Sequence, residues 1–292
     1  MVRIITDSAA DFEPRELAEK NIHCIPIKVM LGDKEYEENI NLSKDQFYEL
    51  LASTGCTPKT SQPSPQILMD LFADAKKAGE EAVYISLSSA LSGTYQSAVM
   101  TQEDFGSDSH LVLDSKNATG GQRLLVEYAV RLRDEGKSAG EIVEAVTAIR
   151  DKIVLYACID TLEYLYKGGR ISHTVYKLGT MAQVKPIIRV SQEGGIEVPA
   201  KAMVCARVWT TCASGWSSRN PARSTTCMLC TPPTASAARH WQKRFGSWAL
   251  RFPRSGSSTW ARESAATSAP MLAVLCTWKN KKDSLRCHCE PV

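Results

Sequence analysis

The chain has 292 residues and a formal net charge of +3, from 35 Lys and Arg against 32 Asp and Glu. This charge is too small to indicate a nucleic-acid partner or an anionic membrane surface. The length suffices for two domains, each with its own core. No run of 18 apolar residues is present, and the residues after Met1 do not resemble a signal peptide, so we expect a cytoplasmic protein without stable membrane insertion.

The first 202 residues alternate short apolar runs with amphipathic segments, which predicts an α/β fold with a mostly parallel sheet and flanking helices. Predicted strands cover 2–5, 25–31, 82–87 and 111–113, and predicted helices cover 14–20, 45–51, 65–78, 121–135 and 139–152. Capping boxes at Ser43 with Gln46 and at Ser138 with Glu141 mark two helix starts, and Ser64-Pro65 marks a third. We assign these elements to an N-terminal domain, 1–153.

A second α/β domain begins with a predicted strand at 154–159. Two further apolar segments, 187–190 and 196–199, flank Glu193-Gly194-Gly195, which is typical of a β-hairpin. We expect 154–202 to be the start of a domain that the chain as written leaves incomplete.

Small hydroxyl residues follow the predicted strands and define the most informative pattern. Thr6 and Ser8 follow the first strand, Ser88, Ser89 and Ser92 follow 82–87, and Ser115 follows 111–113. A loop at 60–63, Thr-Ser-Gln-Pro, precedes another helix. Because ligands of open α/β sheets bind at the carboxyl ends of the strands, next to helix N-termini, these hydroxyls suit an anion. The alternative is that they serve only as helix caps and turn residues.

Sequence signals for catalysis are weak. The chain has no Walker A loop, no G-x-G-x-x-G, no H-E-x-x-H and no nucleophile elbow, so a binding site without cofactor or metal is favoured. The alternative is an enzyme acting on a small phosphorylated or hydroxylated metabolite, with Asp7 as nucleophile or metal ligand.

The segment 167–172, Lys-Gly-Gly-Arg-Ile-Ser, has two equally weighted interpretations. Its glycines could permit a tight turn that brings Arg170 to an anion or a partner. They could equally be an ordinary helix C-cap followed by a solvated arginine.

Six short motifs in order resemble the DegV family over essentially all of residues 1–202. They are I-T-D-S (5–8), T-S-Q-P (60–63), S-S-x-L-S-G-T-Y (88–95), L-D-S-K (113–116), K-G-G-R-I-S (167–172) and K-P-I (185–187). The resemblance implies a two-domain carrier that buries one long-chain fatty acid between its domains. It further implies that the carrier is not itself an enzyme and presents the acyl carboxylate to a separate fatty-acid kinase.

The resemblance also implies the site residues. The carboxylate would be held by hydroxyls corresponding to Thr60 and Ser92, with Gly93 close by and Ser61 and Thr94 beside them. Arg170 would lie near the head group or on the kinase-facing side. A histidine in a late G-x-H-x-G-P motif completes the family's site, and that motif is absent from this chain.

The composition changes abruptly where the resemblance ends. Residues 203–292 hold all six Trp, seven of the ten Cys and only three acidic residues. With suitable codons, 204–216 read one base earlier can give G-L-R-K-G-M-D-Y-L-C-Q-R-L. Likewise 267–281 can give H-I-G-P-N-A-C-G-F-V-Y-V-E-K and a stop codon. We therefore expect 203–292 to be a poorly ordered, out-of-frame tail, produced by a one-base change near codon 202.

Two alternatives remain for the tail. Cys227-x-x-Cys230 with Cys287-His288-Cys289 has the spacing of a zinc site, although the flanking residues show no strand or helix period. The chain as written could also be a non-functional truncated family member. Because it lacks the histidine motif, we predict that the chain as written binds lipid weakly or not at all.

Overall fold

The computed structural model describes residues 1–159, 161–179, 185–202, 226–231 and 271–277. The chain divides into two compact units. The first comprises Met1–Asp151 and Val190–Gly195, and the second comprises Lys152–Arg189 and Ile196–Val292. Each unit is described by itself.

The first unit contains seven strands and six α-helices, with a short 3-10 helix at Ser8–Ala10. The strands are β1 (Val2–Asp7), β2 (Ile22–Ile25), β3 (Lys28–Leu31), β4 (Lys34–Glu37), β5 (Lys59–Ser61), β6 (Glu81–Ser86) and β7 (His110–Asp114). The helices are α1 (Pro14–Lys20), α2 (Lys44–Thr54), α3 (Pro65–Lys77), α4 (Thr94–Phe105), α5 (Thr119–Asp134) and α6 (Ala139–Arg150).

The central sheet of this unit has the order β2-β1-β6-β7, and its three pairs of neighbouring strands are all parallel. Ile5 of β1 and Tyr84 of β6 face each other in register and belong to a core that includes Leu68 and Phe72 of α3 and Ala98 of α4. Ile4, the neighbour of Ile5 on the opposite face, is also fully buried. Both faces are therefore covered, which confirms the predicted α/β class with a parallel sheet.

The single strand predicted at 25–31 is wrong, because this segment belongs to two sheets. β2 ends at Ile25 in the parallel sheet, and β3 begins at Lys28 in a separate three-stranded sheet. Pro26 lies between them and has no N–H to donate, which ends the ladder. β3 pairs antiparallel with β4 and β5, two strands that the sequence pattern did not predict.

The predicted helix starts are confirmed. Ser43 and Ser138 each form a reciprocal capping box, with Gln46 and Glu141 respectively. Pro65 is the first residue of α3, although the Ser64 side chain makes no capping hydrogen bond. Helix α4 was not predicted, and it follows the serine-rich loop that the sequence pattern emphasised.

In the second unit, the described residues include a five-stranded sheet with the order β10-β9-β8-β12-β11 and two short helices. The elements are β8 (Ile153–Cys158), α7 (Glu163–Lys167), α8 (His173–Gly179), β9 (Lys185–Val190), β10 (Ile196–Ala202), β11 (Thr226–Thr231) and β12 (Met271–Thr277). The predicted hairpin is confirmed, since β9 and β10 are neighbours. Apart from β11 and β12, the proposed out-of-frame tail lies outside the described residues.

Candidate functional site

The loops that follow β1, β6 and β7 meet at the carboxyl edge of the parallel sheet. The backbone N–H of Leu87 donates to the Asp7 carboxylate at 2.7 Å, and the N–H of Ser115 donates to the carbonyl of Ser86 at 3.2 Å. The amide of Ser89 donates to Asp114 at 3.2 Å. The hydroxyl residues that the sequence placed after separate strands are thus neighbours in the fold.

Most of these hydroxyls are used by the fold itself. Thr6, Ser8, Ser88, Ser89 and Ser115 each donate a hydrogen bond to a protein oxygen, at distances from 2.6 to 3.0 Å. These hydroxyl protons are thus committed within the fold: Ser115 donates within a local turn, whereas the other four donate to partners that are distant in sequence, so they do not act simply as caps or turn residues.

Asp7 is the centre of a buried hydrogen-bond network. Its side chain is fully buried and accepts four hydrogen bonds. One oxygen accepts from the Tyr84 hydroxyl at 3.1 Å and from the Leu87 amide, and the other accepts from the Ala9 amide at 3.2 Å and from the Gln122 side chain at 3.0 Å. The sequence offered no signal for Gln122, which is one residue of an amphipathic helix.

Burial raises the pKa of Asp7, although its four hydrogen bonds act in the opposite direction. Burial also raises the pKa of Tyr84 well above its usual value, and the neighbouring Asp7 charge adds to that effect. Tyr84 therefore stays a neutral phenol that donates to Asp7. A nucleophile or metal ligand needs an accessible lone pair, and Asp7 has neither exposure nor an unused oxygen, so the geometry does not favour the enzyme alternative.

Ser92 and Thr94 form a hydroxyl pair at the start of α4. Their side-chain oxygens are 2.8 Å apart, and the Thr94 amide donates to the Ser92 oxygen at 3.3 Å. Ser92 is half-buried, whereas Thr94 is buried. Gly93, the exposed N-cap residue, supplies no capping side chain. This 12-residue helix thus presents its N-terminal turn and a hydroxyl pair at one place, an arrangement that suits an anionic group.

Gln62 of the T-S-Q-P loop lies next to the N-terminus of α4. A Cβ built on Gly93 would lie 3.1 Å from the Gln62 side-chain nitrogen. The two loops are therefore in contact, and Gly93 allows this close approach. Gln62 belongs to the T-S-Q-P motif, but it was not among the site residues predicted from the sequence.

Thr60 and Ser61 lie on β5, where successive side chains point to opposite faces. Thr60 pairs in register with Val29, and Ser61 pairs with Lys28. Both are exposed. The register places Thr60 on the face of this sheet that carries Val29, and places Ser61 on the opposite face, with Lys28. Gln62, the residue that contacts Gly93, directly follows the end of β5.

A small cavity of about 20 Å³ lies behind this loop pair. Its lining includes Thr94 and Ala98 of α4, Tyr84 of β6, Ile25 of β2 and Pro63. This volume fits one water molecule, whereas pockets for small-molecule ligands measure about 300–1,000 Å³.

Arg170 belongs to the second unit and is exposed, between α7 and α8. α7 ends with Gly168 as its C-cap, and Gly169 adopts a φ of +76°. The Arg170 guanidinium donates to the Gly168 carbonyl. The helix C-cap interpretation of this motif is thus correct for the glycines, and a binding role of Arg170 stays a prediction.

Among the described residues, no three His, Cys, Asp or Glu side chains are grouped so that they could hold a metal ion. Cys287 to Cys289 lie outside the described residues. The helices of the described part include none long and apolar enough to cross a membrane.

The fold and this edge define the protein class: an α/β protein with a hydroxyl-bearing site where a parallel sheet meets a helix N-terminus. The model of a family described as "Uncharacterised protein, DegV family" matches residues 1–244. A DegV domain-containing protein of Caldanaerobacter subterraneus is 35% identical over 197 residues, which cover 68% of this chain and 70% of the relative. This chain belongs to the DegV family.

Two solved structures share the fold of this chain. A stearic acid-binding protein from Eubacterium ventriosum has a TM-score of 0.72 at 23% identity, covering 85% of this chain and 88% of that one. The fatty acid kinase B3 protein of Streptococcus pneumoniae, solved with linoleic acid, has a TM-score of 0.69 at 22% identity, covering 94% and 92%.

Proposed function

We propose that this chain is a fatty-acid carrier that holds the acyl carboxylate at the N-terminus of α4 and presents it to a separate fatty-acid kinase. The observation that carries the proposal is the Ser92–Thr94 hydroxyl pair, with Gly93 between them and Gln62 against Gly93. Membership of the DegV family and the fatty acids bound by the similar structures support a fatty acid as the ligand class.

The chemistry of this place suits a carboxylate that must remain reactive. Ser92 and Thr60 can each donate one hydrogen bond, and the first turn of α4 adds backbone N–H groups with partial positive charge. Such neutral donors hold the carboxylate without a tight ion pair, so an oxygen stays usable as the nucleophile toward ATP on the kinase. In this proposal Ser61 and Thr94 flank the head group, and Arg170 contributes to the face that meets the kinase.

The acyl chain needs a dry apolar tunnel, because each buried methylene stabilises the complex by about 0.8 kcal/mol. The cavity behind Thr94 has a volume of about 20 Å³ and is too small for this purpose. We therefore expect the acyl-chain tunnel to lie outside this cavity.

Native mass spectrometry of the full chain tests the carrier function. The frame-restored chain and the chain as written are purified side by side and incubated with palmitate, and a bound mass equal to one fatty acid is expected on the restored chain. In the restored chain Ser92→Ala should lower the bound fraction, while Ser107→Ala, a loop serine at the amino end of β7, should not. A restored chain that folds but retains no fatty acid contradicts the proposal.

A hydroxamate assay for acyl phosphate tests the kinase step separately. With ATP and a fatty-acid kinase, the loaded carrier should yield an acyl phosphate, which hydroxylamine converts to a stable hydroxamate. If fatty acid is bound but no hydroxamate forms, the chain is a binding protein without a role in phosphorylation.

We also propose that the last ninety residues are out of frame. Curated relatives align over about 200 residues and extend beyond the aligned part, since 70% of the Caldanaerobacter protein is covered. A frame-restored chain, which regains the histidine motif, should bind fatty acid more tightly than the chain as written.

A further inference from the structure

Hydroxyl residues form a large part of the lining of the cavity behind Thr94. Tyr84 and Thr94 are only 1% and 3% exposed, Ser97 and Thr101 line the cavity further along α4, and the exposed Ser64 lines it from the loop before α3. An ordered water needs about 10–15 Å³ of such space and two to four polar partners, and this cavity offers about 20 Å³ and several hydroxyl residues in its lining.

The position of the cavity favours Tyr84 and Thr94 as the two hydrogen-bond partners of a water molecule. Ile25, the register partner of Asp7, also lines the cavity, so the cavity reaches the carboxyl edge of the sheet, where the Tyr84 hydroxyl meets Asp7. α4 begins at this same edge with Thr94. Thr101 is seven residues later, which is about 10.5 Å along a helix, too far for one water to contact both threonines.

The donor and acceptor roles of the Tyr84, Thr94 and Ser92 hydroxyls follow from counting their protons. The Tyr84 proton is given to the Asp7 carboxylate, so the Tyr84 oxygen can only accept from a water. If that water gives its second proton to the Thr94 oxygen, the Thr94 proton is directed to Ser92 at 2.8 Å. Ser92 already accepts from the Thr94 amide, and its own proton then points away from this chain of bonds.

We propose that the cavity holds one water molecule that donates to both Tyr84 and Thr94, and that this fixes Ser92 as a hydrogen-bond donor toward the ligand. Tyr84 is then a positioning residue, two hydrogen bonds removed from the hydroxyl pair. The inference rests on the proposed function for the identity of the ligand, a carboxylate, because only an acceptor head group gains from a donor-oriented Ser92.

Head-group selectivity separates this role from a purely structural one. Dissociation constants of palmitate and hexadecanol are measured for the frame-restored chain and for its Tyr84→Phe and Ser97→Ala variants. Tyr84→Phe keeps the ring and removes the acceptor, so it should weaken palmitate about 2–10-fold while leaving hexadecanol nearly unchanged, because bonds to charged acceptors are the stronger ones. Ser97→Ala removes a hydroxyl from the same cavity and should leave the ratio unchanged.

A crystal structure of the full chain that resolves ordered waters gives an independent result. A water within hydrogen-bond distance of both the Tyr84 and Thr94 oxygens is expected, and an empty cavity or a water that contacts only one of them overturns the inference. Equal weakening of acid and alcohol by Tyr84→Phe, or a changed ratio in Ser97→Ala, also overturns it. Failure of the frame-restored chain to bind palmitate contradicts the proposed function alone, and the crystal structure then decides whether the water is present.

Discussion

The Ser88 hydroxyl donates a buried hydrogen bond to the Gly194 carbonyl at 2.9 Å, across 106 residues of sequence. Both residues belong to the first unit, which includes the turn segment Val190–Gly195. Gly194 adopts a φ of +86°, and a Cβ built there would lie 2.0 Å from the Ser88 hydroxyl oxygen and 3.1 Å from the Lys116 Cα. This contact therefore requires glycine for both conformation and space.

Gly194→Ala should destabilise the protein more than an equally strained glycine replacement without crowding. Gly136 is the matched control, since it has a φ of +82° and nothing within 4 Å of a built Cβ. Both substitutions place alanine in a left-handed backbone conformation, which should lower the free energy of unfolding by about 1 kcal/mol. Overpacking should lower it by about 1–3 kcal/mol more in Gly194→Ala. Urea unfolding measures both, and equal losses would show that the contact is not tight.

Thr60→Val should weaken palmitate binding, whereas Ser61→Ala should not. The two hydroxyls are adjacent and both exposed, yet strand alternation places them on opposite faces, and the proposed function assigns the carboxylate to Thr60. Loss of one hydrogen bond to a carboxylate corresponds to about 1.5–3 kcal/mol, or at least a tenfold change in the dissociation constant. A stronger effect from Ser61→Ala would assign the carboxylate to the face of β5 that carries Ser61.

Asp7→Asn should change how stability depends on pH. The pKa of Asp7 is raised in the folded protein above its ordinary 3.8, so above pH 3.8 the folded state binds more protons than the unfolded state until its own pKa is passed. The free energy of unfolding contributed by Asp7 therefore falls as pH rises through this window.

The Asn variant lacks this titration and loses acceptor capacity, at a cost of about 1–3 kcal/mol. The stability advantage of the unmodified chain over Asp7→Asn should thus be largest at the acidic end of the window and decrease as pH rises. Urea unfolding at several pH values measures this difference. An advantage that grows with pH would mean that hydrogen bonding outweighs burial at Asp7.

Ser138→Ala should raise the pKa of Glu141 through loss of the capping box. The Lys137 ammonium, the Ser138 amide and the Ser138 hydroxyl lower the pKa of Glu141 to about 2. The stability that Glu141 provides is present above its ordinary 4.5 and is lost as pH falls through about 2. Carboxyl-carbon NMR titration should show the rise in Ser138→Ala and none in Ser43→Ala, which removes the hydroxyl of the other capping box. A Glu141 pKa that does not move in Ser138→Ala would assign the shift to the Lys137 ammonium and the backbone amide of residue 138.

Resequencing of the gene should reveal a one-base insertion or deletion near codon 202. Correcting it should convert 204–216 to an amphipathic helix sequence and end the chain after the restored histidine motif. An uninterrupted reading in the present frame, together with a protein mass that matches 292 residues, would contradict this prediction.

Local sequence was sufficient wherever the interactions are local. Each correctly predicted feature depends on residues only a few positions apart, so a short pattern predicts it. These features are the capping boxes of Ser43 and Ser138, the proline at the start of α3 and the glycine turn at Gly194. Alternation of strands and helices indicated the parallel sheet, and six ordered motifs indicated the DegV family.

Only the tertiary structure decided which hydroxyls remain for a ligand. The partners that engage Ser88 and Asp7 lie 106 and 115 residues away in sequence, at Gly194 and Gln122, and no local pattern encodes such pairs. The same holds for β5, which pairs with β3 about 30 residues earlier. Hydrogen bonds depend on distances in space, and chain folding creates those distances after the local elements have formed. Sequence therefore predicted a group of candidate hydroxyls, and packing set Ser92 and Thr94 apart from the rest.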